Sequence, residues 1–572
     1  MRYFNHFAKR SLFILAGYCF LSCVVLSRLV ALQLLPSPRL KAHAKSQHGV
    51  DIPLSPSRGN VYDRTLNILS TSIEVFSAYA CPRDIAPGER EGLVLKLAGM
   101  LDLDTDWLRG RLERDKEFVW LKRKLDRREE AQLRSFQHPA IGLTPEWQRV
   151  YPAETLGAHL LGGVDIDNQG IEGVELFYNS HLSGRPGLRM TQRDARGRSL
   201  RARDELFIPS QDGHHVVLTI DQVIQDVVER ELVRAVEASH AIAGTAIVLD
   251  PKDGSVLACA NAPTFDANRA SLVAADKRRN RAVTDMFEPG SVFKIVTASA
   301  ALESGSFSLE EKVFCENGAY RMAGHTLHDY RPHGWLTFPE VFIKSSNIGT
   351  SKVAQRVGSE RLWQAIQRFG FGRPTGIDFP GEAAGSITSP EKWSGTSLLA
   401  IPMGHEVSAT ALQMTCAMAA VANDGVMMKP RLVERIMTAD GRTLETFAPQ
   451  AQGVVMNPES ARLLKGILTR VVEEGTGQRA RVKGLEVAGK TGTAQKILEG
   501  TRGYSDEDFV AVFVGFAPVS SPQMVICVIL DEPKPEHFGG TVCAPVFKRI
   551  LEQGLAYLSL TGHQPVRLVK SF

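Results

Sequence analysis

No excess of either charge marks this chain: 67 lysines and arginines face 63 aspartates and glutamates, a formal net charge of +4. That balance argues against a dedicated nucleic-acid binder and for no strong electrostatic partner. Cysteine is sparse and scattered. Of the eight, Cys19 and Cys23 fall in an apolar N-terminal run, while Cys81, Cys259, Cys315, Cys416, Cys527 and Cys543 stand far apart. No metal signature and no essential disulfide framework is expected from that spacing. Internal repeats and low-complexity blocks are absent as well, which excludes a repeat array. What is present is length. At 572 residues the chain exceeds what one hydrophobic core organises, so two or three domains are expected.

The one long apolar run opens the chain. Arg2, Lys9 and Arg10 precede the uncharged stretch Ser11 to Ser27, followed by Arg28 and then Leu29 to Leu35. Roughly 20 apolar residues cross a bilayer core. Residues 1–10 therefore read as a cytoplasmic tail and 11–35 as a transmembrane anchor, with Arg28 snorkelling to the far interface and the remainder of the chain outside. A cleaved signal peptide is the rival reading, because Ala42-His43-Ala44 resembles a small-x-small cleavage site. That string sits far downstream among Arg39, Lys41 and Lys45, and the apolar run is longer than signal peptides carry, so an uncleaved anchor is expected. Cys23 reads as a membrane-helix cysteine because the apolar run continues past it.

Beyond the anchor, residues 47–209 form a mixed segment with charged helical stretches such as Arg127 to Ser135. A boundary is expected near Ser210-Gln211-Asp212-Gly213, opening a second domain over 213–560 and a tail over 561–572. Within it, Val216 to Ile220 reads as a strand and Gln222 to Glu237 as a helix with apolar residues at helical spacing. Thr245 to Asp250 and Ser255 to Ala260 flank Pro251-Lys252-Asp253-Gly254, a hairpin signal. Residues from Ser291 to Ala420 read as helix-rich, Val510 to Gly515 and Met524 to Leu530 as strands, and Pro545 to Tyr557 as a closing helix. The implied class is α+β, an antiparallel sheet assembled from distant segments with helices packed on it.

Three short strings carry the chemistry through their order. Ser291-Val292-Phe293-Lys294 follows the turn Glu288-Pro289-Gly290 and opens an apolar helix running from Val292 to Leu302. Positions i and i+3 share a helix face, so Lys294 is expected beside the Ser291 hydroxyl, among apolar neighbours that drive its amine towards the neutral form a general base requires. Ser345-Ser346-Asn347 follows a helical stretch, Phe338 to Lys344, and offers a hydroxyl able to relay a proton and an amide able to orient lysine and substrate. Lys490-Thr491-Gly492-Thr493 fits an edge strand whose glycine admits an extended peptide and whose threonines offer hydroxyls to a carboxylate. A second Ser-x-x-Lys, Ser389 to Lys392, lacks both partners. Taken alone, Ser291 reads as a helix cap, Lys294 as a solvated lysine, the middle string as a polar turn and the last as a surface strand.

The ordered set resembles the penicillin-binding and serine β-lactamase superfamily, and more closely the class B penicillin-binding proteins of the septal FtsI type. Glu288-Pro289-Gly290 and Ser345-Ser346-Asn347 carry that finer likeness. Arg58-Gly59-Asn60-Val61-Tyr62-Asp63-Arg64, Arg149-Val150-Tyr151-Pro152 and Gly170 to Glu175 resemble the signatures of the non-catalytic pedestal, and Phe513 to Pro518 with Gly539 to Pro545 resemble the closing strands. Leu66 departs from the pattern, where the family usually has glycine. The resemblance implies a pedestal over 47–209 and a transpeptidase domain over 213–560. It implies Ser291 as nucleophile, Lys294 as its base, Ser345 and Lys490 as proton-relay partners, Asn347 as substrate positioner, Thr491, Gly492 and Thr493 as substrate-binding residues, and the Ser291 and Thr493 amides as an oxyanion hole. It further implies peptidoglycan stem peptides as substrates, β-lactams as inhibitors, no metal or organic cofactor, and partners among divisome membrane proteins, including a SEDS-family glycosyltransferase.

His325, His328 and His333 with Asp329 cluster in the sequence, but their spacing matches no strong metal pattern. The competing functions are an elongation-type transpeptidase, a D,D-carboxypeptidase or β-lactamase with water as acceptor, and a non-catalytic division scaffold or penicillin sensor. No Glu-x-x-x-Asn of the lactamase kind follows Asn347.

Overall fold

A computed structural model describes residues 2–34, 49–193, 199–200, 207–322, 324–497 and 503–561. The Ala42-His43-Ala44 string and the tail beyond Thr561 lie outside the described residues. The chain forms two compact units, one of residues 1–56 with 185–211 and one of residues 57–184 with 212–572. In the first, helix α1 (Arg2–Leu34) contains the stretch Phe7–Gln33, long and apolar enough to cross a membrane. Strand Gly49–Leu54 of the same unit pairs antiparallel with Gly187–Arg193.

In the second unit, a long strand β1 (Ile68–Ala80) pairs along its length with β2 (Ile141–Val150). Helices Arg90–Leu101, Thr105–Leu112 and Arg127–Phe136 pack Leu97, Leu108 and Leu133 into one cluster with Ala78 and Ala80. The last of these helices opens with a capping box, Asp126 accepting from the Glu129 amide while Glu129 accepts from the Asp126 amide. A seven-stranded sheet takes strands from both sides of Ser210–Gly213, because Val216 and Val217 lie parallel to Val61 and Tyr62 and antiparallel to Ile436 and Arg435.

The three pedestal signatures meet at one carboxylate. Arg58 Nε and Arg149 Nε each stand 2.7 Å from an oxygen of Glu175, and all three side chains are almost fully buried. Arg58 also donates to the Glu175 carbonyl, and Arg149 to Ser70 Oγ and the Gly59 carbonyl. Two guanidinium groups flanking one carboxylate leave little unmatched polarity in a dry site.

Further along, α2 (Gln222–Ala238) is capped by Asp221, whose carboxylate accepts from the amides of Val223 and Ile224. A five-stranded antiparallel sheet follows the order β4 (Val256–Ala262), β3 (Ala243–Leu249), β7 (Met524–Asp531), β6 (Tyr504–Ala517), β5 (Ala488–Ile497). β3 and β4 are buried along their whole length, which explains their continuous apolar runs. The closing helix Ala544–Thr561 and α2 cover one face. The other face carries helices Lys294–Glu303 and Ala411–Ala422, the latter buried at every position. The α+β class holds, with β5 at the sheet edge. The middle of the chain is less uniformly helical than its composition predicts: short hairpins pair Lys312–Phe314 with Trp335–Thr337 and Ala319–Met322 with His325–His328.

Leu66 lies at φ 68°, the left-handed region where an L side chain is strained and glycine is not. Leu66→Gly is expected to stabilise the full-length chain by about 0.5–1 kcal/mol and so raise its thermal midpoint. Glu175→Gln leaves two buried guanidinium groups without their carboxylate and is expected to destabilise the chain by about 3–5 kcal/mol and lower that midpoint. Thermal unfolding followed by circular dichroism checks both signs.

Candidate active site

Ser291 belongs to a short 3-10 turn, Gly290–Phe293, and the α-helix begins only at Lys294. This corrects the expected start of the helix at Val292, and the reason is local. Pro289 and Gly290, at φ 52°, hold the chain in a tighter turn, and the Gly290 amide donates to the Gly404 carbonyl at 3.2 Å. With three residues per turn, side chains at i and i+3 eclipse, which places Ser291 and Lys294 on one side. Ser291 is half-buried, whereas Lys294 is 1 % exposed.

Among the described residues the Lys294 amine reaches forward to the middle motif. Nζ stands 2.8 Å from the Ser345 carbonyl, 2.8 Å from Asn347 Oδ1 and 3.3 Å from Ser345 Oγ. Lys490 approaches the same hydroxyl from β5, its Nζ 2.9 Å from Ser345 Oγ and 3.1 Å from the Thr491 carbonyl. One hydroxyl thus bridges two buried amines. Burial pushes Lys294 down to about 7, partly opposed by the nearby Asp329 carboxylate. Burial, reinforced by Lys294, lowers Lys490 well below the ordinary lysine range.

The middle motif is held by strain and by a cap. Ser345 sits at φ 57° in the link between helices Phe338–Ile343 and Asn347–Val357. Asp329 Oδ1 accepts from the Asn347 amide at 2.6 Å and the Ile348 amide at 3.0 Å, and its Oδ2 accepts from Ser346 Oγ at 2.6 Å. This carboxylate caps the helix that starts at Asn347 and supplies the charge that moderates the Lys294 shift. Nothing in the string marks Asp329 for that task, since the sequence places it only among scattered histidines.

β5 brings the third motif. Its side chains alternate, so Lys490 and Gly492 face the serine turn while Thr491 and Thr493 face away. A Cβ on Gly492 would stand 2.7 Å from Val292 Cγ2 and 2.9 Å from the Pro289 carbonyl oxygen. One on Gly290 would stand 3.0 Å from the Thr493 carbonyl oxygen. The two backbones pack without intervening side chains. Thr491 Oγ1 lies 2.7 Å from Thr476 Oγ1, and Thr493 Oγ1 accepts from the Gly539 amide at 3.1 Å, leaving its own hydrogen to donate. Glu288, legible only as part of a turn, ties three segments together: its carboxylate receives the Glu406 amide at 2.9 Å and Tyr504 Oη at 3.2 Å, and contacts His405 Nδ1 at 2.8 Å. The rival Ser389 and Lys392 lie on a separate 3-10 turn with Lys392 exposed.

Comparison with known proteins agrees along the chain. The penicillin-binding protein transpeptidase domain family matches residues 244–552, and the penicillin-binding protein dimerisation domain family matches residues 53–218. This chain belongs to the class B penicillin-binding proteins. It is 37 % identical over 557 residues to the probable peptidoglycan D,D-transpeptidase PbpC of Pseudomonas aeruginosa, covering 96 % of this chain and 94 % of that protein. Peptidoglycan D,D-transpeptidase FtsI of Escherichia coli is 33 % identical over 506 residues, 87 % of this chain and 83 % of that one. The crystal structure of penicillin-binding protein 3 of Mycobacterium tuberculosis with aztreonam superposes with a TM-score of 0.69 at 31 % identity, over 91 % of this chain and 100 % of that one.

Close backbone packing at Gly492 yields a direct test. Gly492→Ala forces the serine turn away from β5 and is expected to slow labelling by a fluorescent penicillin by on the order of tenfold or more. The change in fold stability is expected to stay within about 1–3 kcal/mol. Labelling rate and melting temperature, measured on the same detergent-solubilised full-length chain, separate the two effects.

Proposed function

We propose that this penicillin-binding protein cross-links peptidoglycan stem peptides at the division septum through a serine acyl-enzyme. The class carries the activity: the chain is a serine-type peptidoglycan D,D-transpeptidase. The mechanism rests on one observation, the Ser345 hydroxyl bridging the buried amines of Lys294 and Lys490. Neutral Lys294 takes the Ser291 proton as Oγ attacks the carbonyl of the penultimate D-Ala in a stem ending D-Ala-D-Ala. The Ser291 and Thr493 amides receive the developing oxyanion. Ser345 relays the proton to the departing D-Ala amine, and the C–N bond breaks. An amine from a neighbouring stem then attacks the ester, gives up its proton along the reverse route and releases Ser291. Asn347 orients Lys294 and the donor, Gly492 lets the stem lie along the edge of β5, and the Thr493 hydroxyl, which keeps its hydrogen, serves the donor carboxylate at that edge. A β-lactam acylates Ser291 in the same way and remains attached.

The apolar span Phe7–Gln33 is consistent with a single-pass anchor. The positive residues Lys9 and Arg10 at its N-terminal end support an inside N-terminus, with the pedestal and catalytic domain on the outer side of the membrane. Glu288-Pro289-Gly290 and Ser345-Ser346-Asn347 support septal work, with divisome membrane proteins, among them a SEDS-family glycosyltransferase, as partners. Depletion giving filaments agrees with the septal role, and rounded cells overturn it.

Full-length chain exposed to penicillin is expected to gain one adduct mass at Ser291, absent from Ser291→Ala, and release of D-Ala without cross-linked product would refute the transferase reading. Because Lys294 must be neutral to accept the proton, acylation is expected to rise with pH through about 7. Asp329 holds that value up, so Asp329→Asn moves the rising limb to lower pH, while its lost capping bonds lower the plateau. Stopped-flow acylation over a pH series reads both.

A further inference from the structure

The segments that carry the second and third motifs meet a second time, at an aromatic pair. Tyr330 follows Asp329, whose carboxylate caps the helix beginning at Asn347. Phe538 precedes Gly539, whose amide donates to Thr493 Oγ1 at 3.1 Å. The two rings stand 5.1 Å apart between centroids and are inclined at 59°. Each ring is one residue away from a group that fixes a motif, so their contact bridges the groove between Asn347 and Thr493.

The two sides of the bridge differ in support. Phe538 lies against His537 at 4.4 Å, and His537 stacks on Phe509 of β6 at 4.0 Å with the rings 9° from parallel. The backbone beneath Phe538 is fixed as well, because a Cβ on Gly539 would collide with the Val512 and Gly492 carbonyl oxygens. Tyr330, by contrast, is 78 % exposed. Among the described residues its ring meets Phe538 alone, and its hydroxyl has no hydrogen-bond partner. A braced ring and a loosely held one make a wall that yields on one side only.

In a serine acyl-enzyme mechanism the donor's terminal residue occupies this groove, since its nitrogen departs at Ser345 Oγ and its carboxylate reaches the Thr493 hydroxyl. We propose that Tyr330 and Phe538 enclose that terminal residue and set the size of side chain accepted there, a specificity that rests on the acyl-enzyme reading. A methyl lies beneath the closed pair, whereas a branched side chain pushes Tyr330 off Phe538. Separating an aromatic pair of this kind slows acylation by roughly threefold to tenfold. Tyr330 and Phe538 take no part in proton transfer; they act on which leaving group fits.

Thiolester donors that share an N-acetyl-D-alanyl group and differ in the leaving group test this on the full-length chain. Mercaptoacetate, (R)-2-mercaptopropionate and (R)-2-mercapto-4-methylpentanoate carry hydrogen, methyl and isobutyl at the position in question. Ser291 Oγ attacks the acyl carbon, the C–S bond breaks and a thiolate departs that needs no proton from Ser345; water then frees Ser291. The ratio of kcat/KM values therefore reads leaving-group fit apart from proton relay and acyl binding. In the wild type the isobutyl donor is expected to react about tenfold more slowly than the methyl one. Tyr330→Ala is expected to bring the two within about threefold, while Tyr330→Phe, which keeps the ring, retains the wild-type ratio. Equal wild-type rates for methyl and isobutyl, a ratio unmoved by Tyr330→Ala, or a ratio lost in Tyr330→Phe overturns the proposal. A uniform fall across the donors in Tyr330→Ala assigns the residue to structure alone and overturns it too. Turnover that persists in Ser291→Ala, or none with any donor, brings down the acyl-enzyme reading and the proposal with it. A failed ratio in protein that still forms the Ser291 adduct strikes the proposal only. The wild-type donor series decides the matter even where a variant does not fold.

Discussion

The site depends on keeping two lysine amines dry around one hydroxyl. Lys294 and Lys490 are each 1 % exposed, and removing an ammonium from water costs several kcal/mol before any partner is counted. The fold meets that cost by disfavouring the charged forms and supplying directed acceptors: the Ser345 carbonyl and Asn347 Oδ1 for one amine, the Thr491 carbonyl for the other. Amines that give up their proton more readily than an ordinary lysine follow from this burial, and so does a short path for protons. Asp329 limits the effect, because its carboxylate is near enough to hold the Lys294 value up.

Around that centre the backbone is packed more tightly than side chains allow. Gly290 and Gly492 stand where an added methyl would meet main chain or Val292, and Gly404 is likewise pressed against Gly290. These glycines bring the serine turn, the loop at residues 404–406 and the edge strand to one place, and Glu288 fastens the join through its bonds to Glu406 and Tyr504. Ser345, held at positive φ, is the corresponding strained position in the middle motif. Precision at the hydroxyl is achieved by over-determining the surrounding main chain.

The pedestal uses a related device for a structural end. Arg58, Arg149 and Glu175 come from three separated signatures and form one buried cluster. Removing Glu175 leaves two uncompensated guanidinium charges, so the segments are bound to one another by electrostatics as well as by apolar burial. Leu66 shows the tolerance of such an assembly. A strained turn persists there because Asp63 holds it through bonds to the Thr65 and Asn67 amides.

How much of this was legible in the string varied with the range of the interaction. Hydrophobic period and turn residues located the helix at Gln222–Ala238, the buried strands Ala243–Leu249 and Val256–Ala262, and the apolar N-terminal helix, because those signals act over a few residues. Ser291, Lys294, Ser345, Asn347 and Lys490 were nameable as candidates because short motifs in a given order carry chemical meaning. The 3-10 turn at Ser291, the bridging position of Ser345, the capping by Asp329 and the latch at Glu288 were not legible. Each depends on contacts between segments far apart in sequence, and no local propensity encodes which distant carboxylate or carbonyl will meet a given amide or amine. Residue order names the chemical groups and the longer regular elements; packing selects which of those groups share a dry, strained site and sets the turns at Ser291 and Ser345, because burial and proximity are properties of the packed chain.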